Sequence, residues 1–340
     1  MTKIAIAGSG AMGSLFGYML QAAGNDVVLL DNWVEHVQAI NTKGLTVAIA
    51  GQDVQHVQIP AALPTAIKDV QDVIIIFTKS MQLGAMLQSI KPLIGEKTKV
   101  VCLLNGLGHP ETIERYLPKH NIFVGITLWT AGLTGPGEIS LSGSGSVELQ
   151  NVAPEAKGAA EELVAMLSAA GLHATYSADV LFSIWRKACV NGTLNSLCAL
   201  LDCNIAQLGR TSQVNSLLAS IVAEFSAVAA TEAVDLDVPT TIAHIDQLFD
   251  PTQAGEHYPS MHQDLIQHHR LTEIDYLNGY VARKGQERGI PTPVNQLITQ
   301  LVHTKEALVT KNKGSFKMTE KQPLNIERHF NALPKTINRN

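Results

Sequence analysis

"IAIAGSGAMGSLFGYML", residues 4–20, joins a short apolar run to a glycine-rich loop and then to a helical pattern. Gly8 permits a tight turn, Gly10 lets the backbone approach a pyrophosphate, and Gly13 allows a helix to pack closely on a strand. The start of the helix presents unpaired N–H groups and the positive end of its dipole. Because strand, loop and helix follow in this order, the stretch predicts a dinucleotide-binding unit. Its predicted cofactor-binding residues are Gly8, Ser9, Gly10, Ala11, Met12 and Gly13.

Apolar runs and helical patterns alternate as far as about residue 175. The predicted strands are KIAIAG (3–8), DVVLLD (26–31), LTVAIAG (45–51), DVIIIFT (72–78), KVVCLLN (99–105) and NIFVGIT (121–127). The predicted helices lie at 11–23, 34–43, 80–92 and 110–117. This alternation is typical of parallel strands joined by right-handed crossovers, so we expect a doubly wound α/β sheet of the Rossmann kind. A glycine-rich turn within residues 133–150 predicts an antiparallel pair.

The second half of the chain carries helical patterns and no strand signal. The predicted helices lie at 176–200, 211–234, 238–249, 258–288 and 294–310. We therefore expect a Rossmann domain over 1–175 and an all-α domain over 176–311. Residues 312–340 are basic, carry two prolines and have little apolar periodicity. They are predicted to form a solvated tail, with a partner-binding arm as an unsupported alternative.

Composition excludes several classes of protein. The 340 residues are 46% apolar and 16% charged, which is typical of a well-packed chain of two domains. The net charge of −5 offers no basic field for nucleic acid or anionic lipid. No run of eighteen apolar residues appears, and the first residues do not resemble a signal peptide, so a cytoplasmic location is expected. The four cysteines form no C-x-x-C pair, which favours free thiols and no metal site.

Asp31 ends the second predicted strand, and no arginine or lysine occurs between it and Lys43. An acidic side chain at this position accepts hydrogen bonds from the adenosine ribose and repels a 2′-phosphate. With Asn32 following, the sequence favours NAD(H) over NADP(H). The alternative is that Asp31 only caps the helix predicted to begin near Val34.

Polar side chains interrupt an otherwise apolar helical stretch, "SIWRKACVNGTLNSLCALL" at 183–201. Lys187, Asn191 and Asn195 recur every four residues, so they lie on nearly one helix face. Such a stripe either meets a polar surface of the protein or faces a cavity that binds a polar ligand. Further candidates follow predicted strands, where open parallel sheets bind ligands; these are Thr78, Lys79 and Asn105. A surface lysine and an Asn-Gly turn are the plainer alternatives.

Six segments in this order and spacing resemble the ketopantoate reductase family. They are GSGAMG, FTKSMQ, LLNG, WRKACVNGTLN, PSMHQDL and TEIDYLNGY. The resemblance covers roughly residues 1–310. It implies a Rossmann domain, a helical C-terminal domain like that of 6-phosphogluconate dehydrogenase, and an active site in the cleft between them. It also implies reduction of a 2-oxo acid to the (R)-2-hydroxy acid with a nicotinamide cofactor.

The family resemblance assigns roles to the polar helix and to two later segments. It implies that Lys187 donates a proton to the substrate carbonyl oxygen and stabilises the charge there. Asn191 and Asn195 would orient the substrate, and Ser260 would contact its carboxylate. Glu273 would hold the lysine, the substrate oxygen or the cofactor ribose. The alternative is a structural network that pairs Lys187 with Glu273 and leaves the asparagines without a role.

The same resemblance places Lys79 and Asn105 between cofactor and substrate, and Ala131 beside the nicotinamide. Two departures from the family pattern matter. Members that make pantoate prefer NADPH and carry a basic residue where this sequence has Asp31 and Asn32. They also carry an asparagine where this sequence has His257, which is either a substrate hydrogen-bond donor or a loop residue.

These departures favour an NAD-dependent D-2-hydroxyacid dehydrogenase for bulky branched or aromatic 2-oxo acids, similar to D-mandelate dehydrogenases. The first alternative is ketopantoate reduction itself. A β-hydroxyacid dehydrogenase shares the Lys-x3-Asn helix, but the segments around Ser260 and Glu273 argue against it. A nicotinamide-sensing regulator without catalysis is disfavoured because the set of catalytic and substrate residues is complete. The apolar helical half leaves open whether the chain forms a homodimer.

Overall fold

The computed structural model describes residues 1–51, 53–141 and 143–311, with the side chains of residues 310 and 311 left out. The predicted basic tail, 312–340, lies outside the described residues. The strands are β1 Lys3–Ala7, β2 Asp26–Leu30, β3 Leu45–Ile49, β4 Gln55–Val57, β5 Ala61–Ala62, β6 Val73–Ile76, β7 Lys99–Cys102, β8 Ile122–Thr127, β9 Ala131–Gly135, β10 Glu138–Leu141, β11 Val147–Asn151 and β12 Ala174–Tyr176. The α-helices are α1 Ala11–Ala22, α2 Val34–Lys43, α3 Leu83–Ser89, α4 His109–Ile113, α5 Lys157–Ala169, α6 Val180–Leu201, α7 Ile205–Gly209, α8 Val214–Ala229, α9 Val238–Leu248, α10 Ser260–His262, α11 Asn278–Arg288 and α12 Pro293–Lys311.

The main sheet is doubly wound, as predicted. Its strand order is β12-β11-β8-β7-β6-β1-β2-β5. The chain continues from β1 to β2 on one side and later returns to place β6 on the other side of β1. Ile4 of β1 is paired in parallel with Val27 on one side and with Val73 on the other. The carboxyl ends of β1 and β6 therefore form the switch point at which such sheets bind ligands.

The strand LTVAIAG does not join the main sheet, although the alternating pattern predicted it there. It forms β3 of a second sheet, ordered β4-β3-β10-β9, and is paired in parallel with β10. Its alternate residues Leu45 and Val47 are buried, and with Ile139 they belong to the same hydrophobic core as the buried face of α1. A strand that buries one face suits such a covering sheet, whereas central parallel strands are buried on both faces. The predicted antiparallel pair is β9 with β10, joined through Gly137.

The helical half surrounds its own core, built mainly by α6, α8, α11 and α12. The proposed boundary at residues 175 and 176 lies in β12, and α6 follows after a short turn. Within the described residues, Val214–Glu232 is the stretch long and apolar enough to cross a membrane, with a mean hydropathy of 1.5. Leu218 and Phe225 in this stretch are completely buried, so α8 is a core helix of the helical half.

The predicted helix at 258–288 is broken into separate turns. The short helix α10 continues into a π-helical turn at Gln263–Gln267, and α11 begins only at Asn278. Between them His269 has a positive φ of 53°, which a helix does not tolerate. The apolar periodicity is real, because Leu265, Ile274 and Val281 are all fully buried, but they pack from separate turns.

The four cysteines are free thiols, as expected from their spacing. Cys102, Cys189 and Cys198 are buried, whereas Cys203 is partly exposed. Burial raises the pKa of Cys102 and of Cys189 to about 12, so both side chains are neutral thiols at physiological pH. They act as small core residues.

Candidate active site

The dinucleotide loop has the geometry that its three glycines predict. Gly8 has a φ of +98°, and a Cβ there would lie 2.6 Å from the backbone N of Thr78. A Cβ at Gly13 would collide with the carbonyl oxygen of Gly8, so a larger residue would push α1 off β1. Gly10 differs, since nothing lies within 4 Å of its Cβ position. That open face gives a ligand direct access to the backbone.

Asp31 is bonded directly to this loop. Its Oδ2 accepts a hydrogen bond from the Ser9 N–H at 2.9 Å, and the Ser9 hydroxyl lies 3.4 Å away. Its Oδ1 accepts from the Trp33 N–H at 3.0 Å and keeps capacity for another donor. Trp33 is the N-cap residue of α2, so Asp31 bonds the N–H of the residue just before the helix and is not itself the N-cap. Asn32 beside it is exposed.

Thr78 supplies an independent sign of a ligand beside the loop. Its side chain is buried, yet its Oγ1 has no hydrogen-bond partner among the described residues. An unsatisfied buried hydroxyl is costly unless a bound molecule completes it. Together with the open face of Gly10, this hydroxyl fits a dinucleotide held by the loop, Asp31 and Thr78.

Lys79 connects the sheet half to the helical half. Its Nζ lies 2.6 Å from Oδ2 of Asp264 and 3.9 Å from Oε2 of Glu273. The other oxygen of Asp264 lies 2.6 Å from the guanidinium of Arg270. Asp264 is almost completely buried, with a side chain only 5% exposed. Its negative charge is therefore compensated by cations from both halves of the molecule.

Glu273 is held by Ser80. Oε1 of Glu273 accepts from the Ser80 N–H and from the Ser80 hydroxyl, both at 2.7 Å. Nε2 of His109 lies 3.1 Å from the same hydroxyl oxygen, and the His109 ring stacks on Tyr276 at 5.4 Å. Burial lowers the pKa of His109 to about 4, so its imidazole is neutral. Because the Ser80 hydroxyl donates its one hydrogen to Glu273, Nε2 of His109 is the donor to the hydroxyl oxygen. The chain from His109 through Ser80 fixes the position of Glu273.

The two asparagines of the polar stripe line a small cavity together with polar groups from both halves of the molecule. Its lining residues are Asn105, Asn191, Asn195, Ser260, Met261, Asp264, Glu273 and Leu277. Nδ2 of Asn195 lies 3.4 Å from the hydroxyl of Ser260. The structure thus brings five of the predicted site residues together from the loop after β7, from α6 and α10, and from the segment before α11.

Lys187, one turn before Asn191 on α6, has a different environment. Its Nζ donates to the carbonyl oxygen of Thr127, at the end of β8, at 2.8 Å. Burial lowers the pKa of Lys187 from 10.5 to about 8. The alternative in which Lys187 is paired with Glu273 is wrong in this structure, because Glu273 is bound by Ser80 and faces Lys79.

Lys187, His257 and Ala131, which were predicted to contact the substrate or the nicotinamide, are not among the residues that line the cavity. His257 is exposed on the loop before α10, and its backbone carbonyl accepts from the Ile205 N–H at 3.3 Å. Ala131 begins β9, where it is paired with Leu141 in the second sheet. Their proposed contacts with substrate and nicotinamide stay predictions.

Several residues of the site were missed from the sequence. Ser80 and Asp264 lie inside the segments FTKSMQ and PSMHQDL, so those segments contained the signal. Arg270 and His109 carried no local signal, because they reach Asp264 and Ser80 only through tertiary packing. Thr127 acts through its backbone carbonyl, which no side-chain pattern reveals.

Comparison with known proteins agrees with this architecture. Residues 4–154 match the family model described as ketopantoate reductase PanE/ApbA, and residues 179–306 match its C-terminal model. A 2-dehydropantoate 2-reductase from Lactococcus lactis subsp. lactis (strain IL1403) is 52% identical over 308 residues, which cover 90% of this chain and 99% of that protein. A 2-dehydropantoate 2-reductase from Streptococcus pyogenes serotype M1 is 49% identical over 304 residues, covering 89% and 98%.

A solved structure of D-mandelate dehydrogenase with NADH and anilino(oxo)acetate is 53% identical, with a TM-score of 0.87. It covers 90% of this chain and 99% of its own. The two family models together match most of the chain, and the relatives above are about half identical to it. The chain belongs to the ketopantoate reductase family, whose members are NAD(P)-dependent oxidoreductases acting on CH–OH groups.

Proposed function

We propose that this protein is an NAD-dependent D-2-hydroxyacid dehydrogenase that reversibly reduces bulky 2-oxo acids, branched or aromatic, to the (R)-2-hydroxy acids. The observation that carries the proposal is Asp31, which lies at the carboxyl end of β2 and is bonded to Ser9 of the dinucleotide loop. A carboxylate so placed repels a 2′-phosphate and accepts from a ribose hydroxyl.

The expected substrate class follows from the relative with 53% identity. That D-mandelate dehydrogenase binds NADH together with anilino(oxo)acetate, an oxoacetate with an aromatic substituent. In this chain Met261 and Leu277 add apolar surface to a cavity that is otherwise lined by polar side chains. Such a cavity suits a molecule that is polar at the oxo acid and apolar at the other end.

The proposed chemistry needs a group that gives a proton to an oxygen as negative charge develops on it. A nicotinamide cofactor bound by the loop, Asp31 and Thr78 supplies the hydride in the direction of reduction. Lys187 is the proposed proton donor, because burial brings its pKa to about 8. Its ammonium group is mostly protonated at neutral pH, yet it releases its proton more readily than an exposed lysine does. The Thr127 carbonyl holds that group in place.

The remaining cavity residues are proposed to bind and orient the substrate. Asn191, Asn195 and Ser260 present amide and hydroxyl groups, which can pair with the carboxylate and oxo oxygens without adding charge. Lys79 offers a cation at the opposite side, between Asp264 and Glu273. We propose that Lys79 and Asn105 contact both cofactor and substrate, and that Glu273 anchors the cofactor ribose.

The second candidate is 2-dehydropantoate 2-reductase. The curated relatives from Lactococcus lactis and Streptococcus pyogenes, at 52% and 49% identity, support it. Both candidates use the same fold and the same proposed acid. They differ in the preferred dinucleotide and in the size of the substituent next to the oxo group.

The test is initial-rate kinetics with NADH and NADPH, each against ketopantoate, 2-oxoisovalerate, 2-oxoisocaproate and benzoylformate. We expect kcat/KM to be highest with NADH and one of the last three acids. A preference for ketopantoate with NADPH would overturn the proposal and favour the second candidate.

Asp31→Asn tests the role of the carboxylate in cofactor choice. It removes the negative charge and should raise kcat/KM with NADPH about tenfold. Glu35→Gln, on the exposed face of α2, is the matched control.

We further propose a cytoplasmic protein that binds neither nucleic acid nor membranes, in keeping with its net charge of −5. We also propose a homodimer through the outer face of α12, because Leu297, Leu301 and Leu308 are 54%, 46% and 66% exposed there. Sedimentation equilibrium of the full chain distinguishes a dimer from a monomer.

A further inference from the structure

His36 is a completely buried imidazole on α2 that belongs to neither the catalytic set nor the predicted cofactor contacts. Its Nε2 lies 2.7 Å from the carbonyl oxygen of Ser9, in the middle of the dinucleotide loop. Its Nδ1 accepts from the N–H of Gly137, in the turn between β9 and β10, at 3.0 Å. One side chain thus spans the loop of the main sheet and the hairpin of the second sheet.

These two contacts define the protonation state of the ring. A carbonyl oxygen only accepts, so Nε2 must carry the hydrogen that bonds Ser9. The Gly137 N–H only donates, so Nδ1 must be bare. His36 is therefore the neutral Nε2–H tautomer, and a second proton on Nδ1 would face the Gly137 N–H and break that contact.

The contact with Ser9 controls the direction of the next peptide group. The Ser9 carbonyl oxygen also accepts from the hydroxyl of Ser14 at 2.6 Å, so it is held toward α1 and α2. In a trans peptide the carbonyl and the following N–H point in opposite directions, which sends the Gly10 N–H away from His36. Among the described residues this N–H has no acceptor. A free N–H at the start of α1 is a donor for an anion such as a pyrophosphate.

From this geometry we infer that His36 is a positioning residue for dinucleotide binding, which orients the Ser9–Gly10 peptide and ties it to the β9–β10 hairpin. The inference rests on the proposed function, because it requires that the loop bind a dinucleotide. It adds that the second sheet is part of the cofactor site. The hairpin also carries Ala131, so the imidazole connects the two proposed ends of the cofactor site.

The surroundings of His36 favour its neutral form. Trp33 stacks on the ring at 5.3 Å and 10°, and burial lowers the pKa of His36 below its usual 6.5. Asp31, at the end of β2, is the carboxylate that acts against this shift. Glu35 on the same helix and Glu138 beside the turn are exposed. Positioning through His36 is therefore complete at neutral pH and is lost as acid protonates Nδ1.

The test uses three substitutions that keep different parts of the ring. His36→Gln places a donor near the former Nε2, His36→Asn places an acceptor near the former Nδ1, and His36→Phe keeps neither. We expect the NADH dissociation constant, measured by fluorescence titration, to rise about tenfold in H36F and H36N and less than about threefold in H36Q. The kcat at saturating NADH should change by less than about threefold in all three. His120→Asn, at an exposed position, is the matched control.

A pH series separates positioning from packing. The KM of the wild-type protein for NADH should rise in acid, and only as the pH falls well below 6.5 because burial lowers the pKa of His36, whereas that of H36Q should stay flat. The inference is overturned if H36F binds NADH as the wild type does, or if H36Q is as weak as H36F. Failure of the proposed function looks different, since the wild-type protein itself would then prefer NADPH. The same three variants would be read with NADPH in that case, because either dinucleotide needs the Gly10 N–H.

Discussion

Two lysines, one from each half of the molecule, have surroundings that differ in charge. Lys79, after β6, is paired with Asp264 at 2.6 Å, lies 3.9 Å from Glu273 and has a side chain 41% exposed. Lys187, on α6, contacts the uncharged carbonyl of Thr127, and burial lowers its pKa to about 8. Lys79 is held by carboxylates, whereas the ammonium group of Lys187 is held by the dipole of the Thr127 carbonyl.

This difference in surroundings suits the two lysines to different roles, one in binding and one in proton transfer. An ammonium group held between carboxylates contributes a charge of fixed position for binding. An ammonium group that is buried without a carboxylate is poised to exchange its proton near neutral pH. We therefore assign proton transfer to Lys187 and electrostatic positioning to Lys79, and the variants below test that division.

The largest effect is expected for Lys187→Ala. Removing a general acid lowers kcat by about 1000-fold, because the developing oxyanion loses both its proton donor and its nearest cation. The dissociation constant for NADH should change by less than about threefold, since the dinucleotide loop is untouched. Stopped-flow measurement of a single turnover gives the chemical step directly.

Arg186→Ala is the matched control on the same helix. Arg186 is exposed and lies over the ring of Phe182, away from the cavity. We expect its kcat within about twofold of the wild type. Turnover of K187A within a few-fold of the wild type, with NADH still bound, would show that Lys187 is not the proton donor.

An intermediate effect is expected for Asp264→Asn. The substitution removes the carboxylate that holds Lys79, so the lysine loses its fixed position at the edge of the cavity. Because Lys79 and Arg270 are partly exposed, water compensates much of the lost charge, and the change stays on the order of tenfold. We expect the KM for the 2-oxo acid to rise by this factor, with kcat nearly unchanged.

Arg270→Gln is the control for that variant, because it leaves the pair between Lys79 and Asp264 intact and should change KM by less than about threefold. If D264N instead lowered kcat as strongly as K187A does, Asp264 would take part in the chemical step. The division of labour between the two lysines would then be wrong.

The smallest effect is expected for Ser80→Ala. Glu273 loses the hydroxyl donor at 2.7 Å but keeps the Ser80 N–H, so its position loosens without being lost. We expect kcat/KM to fall about threefold. Ser89→Ala is the control, because this half-buried serine of α3 bonds only the Ala85 carbonyl of its own helix. An effect of S80A above about 100-fold would mean that Ser80 contacts the substrate or cofactor.

The dinucleotide end of the cleft could be predicted from sequence because its information is local. Gly8, Gly13 and Asp31 lie on one βα unit and the next strand, and their geometry follows from that unit alone. The polar stripe of α6 is also local, because helix periodicity places Asn191 and Asn195 on one face.

The rest depends on packing between distant segments. The strand at β3 is paired with β10, which follows it by about 90 residues, and no pattern within LTVAIAG reveals that partner. The predicted helix at 258–288 fails because the chain must turn to bring Glu273 to Ser80. Helix α5, with Leu163 and Leu167 buried, was not predicted although its periodicity is clear.

The pH dependence of kcat in both directions tests the central claim, that Lys187 is a partly buried lysine that exchanges a proton near neutrality. Reduction of the 2-oxo acid needs the protonated amine, so kcat should be constant below pH 8 and fall above it. Oxidation of the 2-hydroxy acid needs the neutral amine, so kcat should rise toward pH 8 and level off above it. A reduction rate that stays flat to pH 10 would mean that this lysine has its ordinary pKa or plays no part in proton transfer.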